Sequence, residues 1–357
     1  MKLGRRWLIT IAALSLLPFM FVNLTHAAPL QPGQIFVAYG GNQIGVFADT
    51  VSLTGDVIQT LEVPSPGFLT VATLGGGGGL ALDEEGNLYA TLSDNKGKVG
   101  LVKFRASDSR SAFEKTYTIS GVKDFRSLVI RDGRIYVATD SGIRVFDATT
   151  GDRISAADFG GALAYRDLAF DKYGNLYGLR QTAPGAGNRL VIRRWRAGSY
   201  SGDGEVIFSI GDNYANSDPR ALVIDEDGNI YVTINSPKGV LKIRPGVEGR
   251  SDETSDIGSI VGSYGTPSGT GTLIGLDYDP GTQRLFASHT ATGGIGQILW
   301  IDRNAASGSI MSVFPNNRPY DLSGVRWLAV YPTPEPATAV FLLAGLGWLV
   351  RRIRRKA

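Results

Sequence analysis

Short apolar runs, each closed by an acidic or glycine-bearing turn and followed by a second apolar run with an aromatic, recur five times along this chain. They are Leu80–Ala90, Leu128–Val137, Leu168–Tyr177, Leu222–Val232 and Leu276–Phe286. The fourth reads Leu222-Val223-Ile224-Asp225-Glu226-Asp227-Gly228-Asn229-Ile230-Tyr231-Val232. Runs this short, rich in β-branched and aromatic residues and bounded by turn residues, predict antiparallel strand pairs. Asp accepts backbone hydrogen bonds and Gly adopts positive φ, so the chain reverses tightly between the two strands. The turn glycines at 86, 133, 174, 228 and 281 are 47, 41, 54 and 53 residues apart, the spacing of four-stranded propeller blades.

Each hairpin is followed by one further short strand: Val99–Phe104, Ile143–Asp147, Leu190–Trp195, Val240–Ile243 and Gln297–Asp302. The fourth strand is expected from the variable connection before the next hairpin. At the termini, Ile35–Tyr39 and Ile44–Phe47 look like the last two strands of a blade lacking its beginning, and Asp321–Val330 looks like the start of another. Pairing of the two ends closes the ring and removes its exposed edges. The expected fold is therefore all-β, a single six-bladed propeller. Seven blades is the alternative, because Gln181–Asn216 and Gly246–Gly271 are long enough to contain irregular strands. The Asp-x-x-Gly-Asn-Leu-Tyr turn and its flanking strands resemble NHL-repeat and related six-bladed propellers, a likeness that speaks to fold.

Both ends of the chain differ from this body. Lys2, Arg5 and Arg6 precede the apolar stretch Trp7–Val22, and Thr25-His26-Ala27 follows it. This order predicts a secretory signal peptide over residues 1–27, cut between Ala27 and Ala28. The body spans 28–331. Residues 332–357 carry Pro334-Glu335-Pro336, the apolar stretch Ala337–Val350 and a basic end with Arg351, Arg352, Arg354 and Arg355. The prolines hold the triplet extended, and the terminal arginines favour the cytoplasmic side of a bilayer. As a helix, Ala337–Val350 would span about 21 Å against a hydrocarbon core of about 30 Å, which suits transient insertion.

The order of triplet, apolar segment and basic end resembles the PEP-CTERM sorting signal of exopolysaccharide-producing Gram-negative bacteria. The resemblance implies recognition of Pro334-Glu335-Pro336 by an exosortase, a membrane protease-transpeptidase. It further implies a membrane intermediate at the inner membrane, then delivery to the cell surface or extracellular matrix.

Charge and rare residues narrow the function classes. Eight of the 36 basic residues but one of the 33 acidic ones lie in the signal peptide and tail. The body is therefore mildly acidic, about −4, without the basic footprint of a nucleic-acid binder. Cysteine is absent and His289 is the one histidine of the body, which excludes thiolate chemistry and a histidine-rich zinc site. Asp225-Glu226-Asp227-Gly228 and Asp83-Glu84-Glu85-Gly86 suggest calcium, but a strand resumes where an EF-hand loop would continue, so hairpin turns are expected. Gly75–Gly79 lacks the helix and Lys of a phosphate loop and is expected to be a crossing near the ring's centre. Arg193, Arg194 and Arg196 around Trp195 are expected on a solvated outer strand, split between its faces, and His289 near a blade end as a satisfied side chain.

The expected function is a non-catalytic surface module binding a glycan or protein, without cofactor or metal. The alternative is a calcium-dependent hydrolase resembling lactonases and gluconolactonases, which would gather Glu, Asn and Asp from separate blades; the sequence assigns no such set.

Overall fold

The computed structural model describes residues 28–39, 43–47, 57–63, 79–94, 97–182, 189–211, 214, 217–246, 253, 255–267, 271–291, 296–313 and 327–333. The signal-peptide positions through Ala27 and the sorting residues Pro334, Glu335, Pro336, Arg351, Arg352, Arg354 and Arg355 lie outside them. Among the described residues no helix is long and apolar enough to cross a membrane.

Six antiparallel sheets form the body. Blade 1 runs outward from β4 (Leu80–Leu82) through β5 (Leu88–Ser93) and β6 (Lys98–Phe104) to β7 (Ser111–Thr118). Blade 3 has the same order in β11 (Asp167–Phe170), β12 (Leu176–Gln181), β13 (Leu190–Trp195) and β14 (Glu205–Ile210). Blade 4 follows with β15 (Leu222–Ile224), β16 (Ile230–Asn235), β17 (Lys238–Arg244) and β18 (Ser259–Gly265). Blade 5 comprises β19 (Gly271–Asp279), β20 (Arg284–Ala291), β21 (Gly296–Asp302) and β22 (Ser312–Val313). Blade 2 has three strands, β8 (Phe125–Arg131), β9 (Arg134–Thr139) and β10 (Gly142–Asp147). Its outer position holds an irregular segment bridged to β10 at Arg153 and Phe159, where the Asp158 carboxylate takes the Val145 amide at 3.0 Å.

The ring closes as the terminal sequences suggest, with one correction. The C-terminal β23 (Leu328–Val330) is the inner strand of blade 6 and pairs with β1 (Ile35–Tyr39), followed outward by β2 (Gln43–Phe47) and β3 (Val57–Glu62). The N-terminal strands are thus second and third, and β3 is the edge. The two long stretches that allowed a seventh blade instead supply β14 and β18, the outer strands of blades 3 and 4.

Burial follows from blades packing face to face. Second strands are covered on both faces, so β5 is buried throughout, whereas β7 at the rim has no fully buried residue. Apolar clusters fill the junctions between blades, such as Tyr136, Tyr165, Leu168 and Trp195 between blades 2 and 3, and one cluster runs from blades 6 and 1 to blades 4 and 5.

Candidate functional site

The regular hairpins share one device. In blade 3, Oδ1 of Asp171 accepts the amides of Tyr173 and Asn175, both at 2.9 Å, and Oδ2 accepts Asn175 Nδ2 at 2.7 Å and the Tyr177 hydroxyl at 3.0 Å. Asp83 and Asp225 repeat the pattern, with the Tyr89 and Tyr231 hydroxyls donating at 3.0 and 3.1 Å. Burial raises the Tyr177 phenol to about 12, so it stays protonated as a donor. Blade 2 departs from this: Asp132 and Gly133, at φ 50° and 70°, form a two-residue turn. Blade 5 departs differently. Gly281 does not supply the positive φ, which falls at Gln283 (54°). Instead, a Cβ on Gly281 would overlap Thr333, whose amide and hydroxyl donate to Asp279 at 3.0 and 2.9 Å.

The acidic cluster that suggested calcium therefore serves the turn and one cation. Arg303, reaching over from blade 5, places Nη1 at 3.2 Å from Asp225, 2.9 Å from Glu226 and 2.9 Å from Asp227. Lys103 lies 3.7 Å from Asp83 in blade 1. Among the described residues no group of three His, Asp or Glu side chains is placed to hold a metal ion.

The inner strands of all six blades surround a central cavity of about 470 Å³, lined from Gly79, Ser127 and Trp327 at the strand starts to Asp83, Lys172 and Glu226 at the first hairpin turns. Its walls carry small and aliphatic side chains, Ala81, Val129, Ala169 and Val223 among them, together with Phe170, Tyr278 and Trp327, and Glu84, Lys172 and Glu226 lie at the turn side. Of the run Gly75–Gly79, residues 75–78 lie outside the described residues; Gly79 lies against the backbone of β8, where a Cβ would come within 2.7 Å of Ser127 Cα.

Two carboxylates on these walls escaped the sequence reading. Asp167 takes the Leu222 amide of the next blade at 2.6 Å and its neighbour Leu168 at 2.8 Å, and receives the Ser127 hydroxyl of the preceding blade. Asp277 takes the Val330 amide of the closing strand at 2.7 Å and the Tyr278 amide at 2.8 Å. Burial raises both carboxyls to about 7, overcoming the hydrogen bonds that favour the charged form. Their signal was positional: each flanks the leucine that opens a repeat, where other repeats have Gly, Ser, Ala or Val.

The remaining candidates are placed plainly. Arg193, Arg194 and Arg196 divide between two faces, but β13 is a third strand rather than a solvated outer one. Arg193 is buried, with Nε at 2.7 Å from Glu253, and Arg180 joins the same carboxylate at 2.6 Å. Arg194 pairs with Glu205 at 2.6 Å, and Arg196 is exposed. His289 is buried on β20, its Nδ1 at 3.2 Å from Gln297 Oε1, and burial lowers its pKa. Its Nε2 has no hydrogen-bond partner among the described residues, so the expected satisfied imidazole is satisfied there at one nitrogen. Ala28, the first described residue, accepts a hydrogen bond from the Ser109 hydroxyl of blade 1.

No family model matches the chain, and no curated protein matches it. Among solved structures it is similar to the β-propeller domain of Myceliophteria_thermophila Cps50 (Swd1), with 11% identity, TM-score 0.48, and 87% of this chain and 88% of that one covered. It is also similar to YCF48 bound to D1 peptide, with 10% identity, TM-score 0.46, and 82% and 85% covered. A catalytically inactive virginiamycin B lyase from Staphylococcus aureus with quinupristin gives 12% identity, TM-score 0.44, and 81% and 87% covered. At such identities no activity, ligand or partner passes to this chain.

Proposed function

We propose that this chain is an exported surface protein whose propeller binds a ligand without transforming it. The observation that carries the non-catalytic reading is the use of the recurring carboxylates. Asp83, Asp171 and Asp225 hold hairpin turns, Asp279 holds Thr333, and Asp167 and Asp277 accept amides of neighbouring inner strands. The hydrolase alternative has one feature in its favour, two channel-wall carboxyls raised to about 7. Asp167 is buried and Asp277 half-buried, and each is engaged by backbone donors from two directions, a poor arrangement for a general base that must reach substrate. The ligand is a glycan or a protein; the mildly acidic body does not favour nucleic acid.

The destination rests on the terminal sequences. The signal peptide directs export, the C-terminal segment retains the chain transiently at the inner membrane, and an exosortase-like enzyme cuts at Pro334-Glu335-Pro336. The product then reaches the cell surface or extracellular matrix. One structural detail supports presentation of the triplet: Thr333 is fastened to Asp279 immediately before it, so the cutting site follows the folded body directly. Replacing Pro334, Glu335 and Pro336 by alanine leaves the propeller folded and leaves uncut precursor in the membrane fraction, read by mass spectrometry of the C-terminus. Normal processing of that variant removes the sorting reading.

A further inference from the structure

The end of the ring opposite the hairpin turns is where the inner strands begin, and it carries a cluster of cations that the central cavity lacks. Two residues before the leucine that opens each repeat, blades 2, 3 and 4 carry Arg126, Arg166 and Arg220. The strands stand side by side at this level. Ser127 donates to Asp167, and Asp167 accepts from Leu222, so the three arginines occupy neighbouring positions of one ring. Arg126 reaches toward the next blade, its Nη1 at 3.4 Å from the carbonyl of Tyr165, the residue adjoining Arg166.

The charges are unevenly compensated. Arg126 lies 3.5 Å from Asp124, and Arg220 binds Asp218 at 2.7 Å. The half-buried guanidinium of Arg166 makes no hydrogen bond or ion pair with any described residue. Burial lowers its pKa first, and the charges of Arg220 and Arg126 lower it further against the weaker pull of Asp218 and Asp124. Burial raises the Asp124 carboxyl, against the opposing pull of Arg126 and a hydrogen bond from Ser93. A partly desolvated cation repelled by two others and lacking a partner is costly to hold, and a planar five-donor fork suits an oxyanion.

We propose that Arg166, flanked by Arg126 and Arg220, binds one oxyanion of an acidic ligand at this mouth of the propeller. The site rests on the binding-module reading above and names the ligand's chemistry: a carboxylate, sulfate or phosphate group presented end-on to the ring.

The test uses the purified protein with sodium sulfate, sodium phosphate or sodium glucuronate at low millimolar concentration, against sodium chloride of matched ionic strength. Low concentration keeps the general stabilisation by excluded salts small. A ligand bound only to the folded state raises the melting temperature. At least one oxyanion is expected to raise it for the wild type; glucuronate alone indicates a carboxylate ligand, sulfate or phosphate a sulfated or phosphorylated one. Arg166→Gln is expected to lose the response, with affinity falling tenfold or more by calorimetry, while Arg196→Gln on the exposed face of blade 3 retains it. In chloride, Arg166→Gln is expected to melt at or above the wild type, because an unpaired cation has been removed; this separates a binding role from a structural one. No oxyanion-specific response in the wild type, or an equal one in Arg166→Gln, overturns the site. The equal response would place the anion elsewhere on the body, sinking this site while the binding-module reading stands.

Discussion

An aspartate four residues before the asparagine does most of the work of a regular turn in this ring. Asp171 accepts two backbone amides and two side-chain donors, and its side chain is nearly buried. Asp171→Ala leaves those donors without an acceptor, a loss on the order of 2–4 kcal/mol in urea unfolding. Asp132 contrasts with it. Its exposed side chain sits at φ 50°, a conformation that asparagine also tolerates, so Asp132→Asn is expected within about 0.5 kcal/mol of the wild type. Equal effects at the two positions would mean that hydrogen bonding is not what distinguishes the turns. The same residue type thus serves two turn geometries, and the sequence spacing already separates them: Asp-x-x-Gly in one, Asp-Gly in the other.

At the scale of elements, inner and second strands were legible because leucine-led runs and a tyrosine after the turn stand out against polar surroundings. Outer strands were not. Ser111–Thr118 and Ser259–Gly265 cover one neighbour and face solvent, so their sequences lack a sustained apolar side. The closing strand was legible because Trp327-Leu328-Ala329-Val330 repeats the inner-strand pattern. The oxyanion-site arginines were invisible along the chain, since Arg126, Arg166 and Arg220 lie 40 and 54 residues apart and only the ring brings them together. Closure itself can be tested. Ala38 donates to Trp327 at 2.9 Å and Tyr331 donates to Gln34 at 2.9 Å, which makes Val37 and Leu328 a pair without mutual hydrogen bonds, the closer kind in an antiparallel ladder. In a chain without cysteine, Val37→Cys with Leu328→Cys offers one possible disulfide across the seam. Oxidised protein is expected to exceed its reduced form by about 2–4 kcal/mol, because the link encloses most of the chain. No difference between oxidised and reduced forms would mean that the terminal strands do not meet in the folded protein.

Across the whole molecule, two desolvated carboxyls make stability fall as pH rises through neutrality. Asp167 and Asp277 titrate near 7 in the folded protein and near 3.9 when unfolded. Between those values the folded state holds protons that the unfolded state has released, so each group lowers stability by about 1.4 kcal/mol per pH unit as pH rises. Asp124 and Glu114, also raised by burial, act in the same direction, while the remaining groups act elsewhere or against this trend. Asp108, Asp147 and Asp152, lowered mainly by hydrogen bonds, contribute stability that is lost only under acid conditions. His289, lowered by burial, favours higher pH up to about 6.5 and is neutral in both states above it. From pH 6.5 to 8 the aspartates therefore act without opposition from His289, and below 6.5 two carboxyls still outweigh one imidazole. The wild type is expected to melt higher at pH 6.5 than at pH 8. Asp277→Asn, neutral throughout, is expected to lose about half of the slope that these two carboxyls supply, and adding Asp167→Asn should remove the other half. Stability that rises with pH over this interval would show these carboxyls already ionised inside the ring, the charged state held by the amides of the next blade.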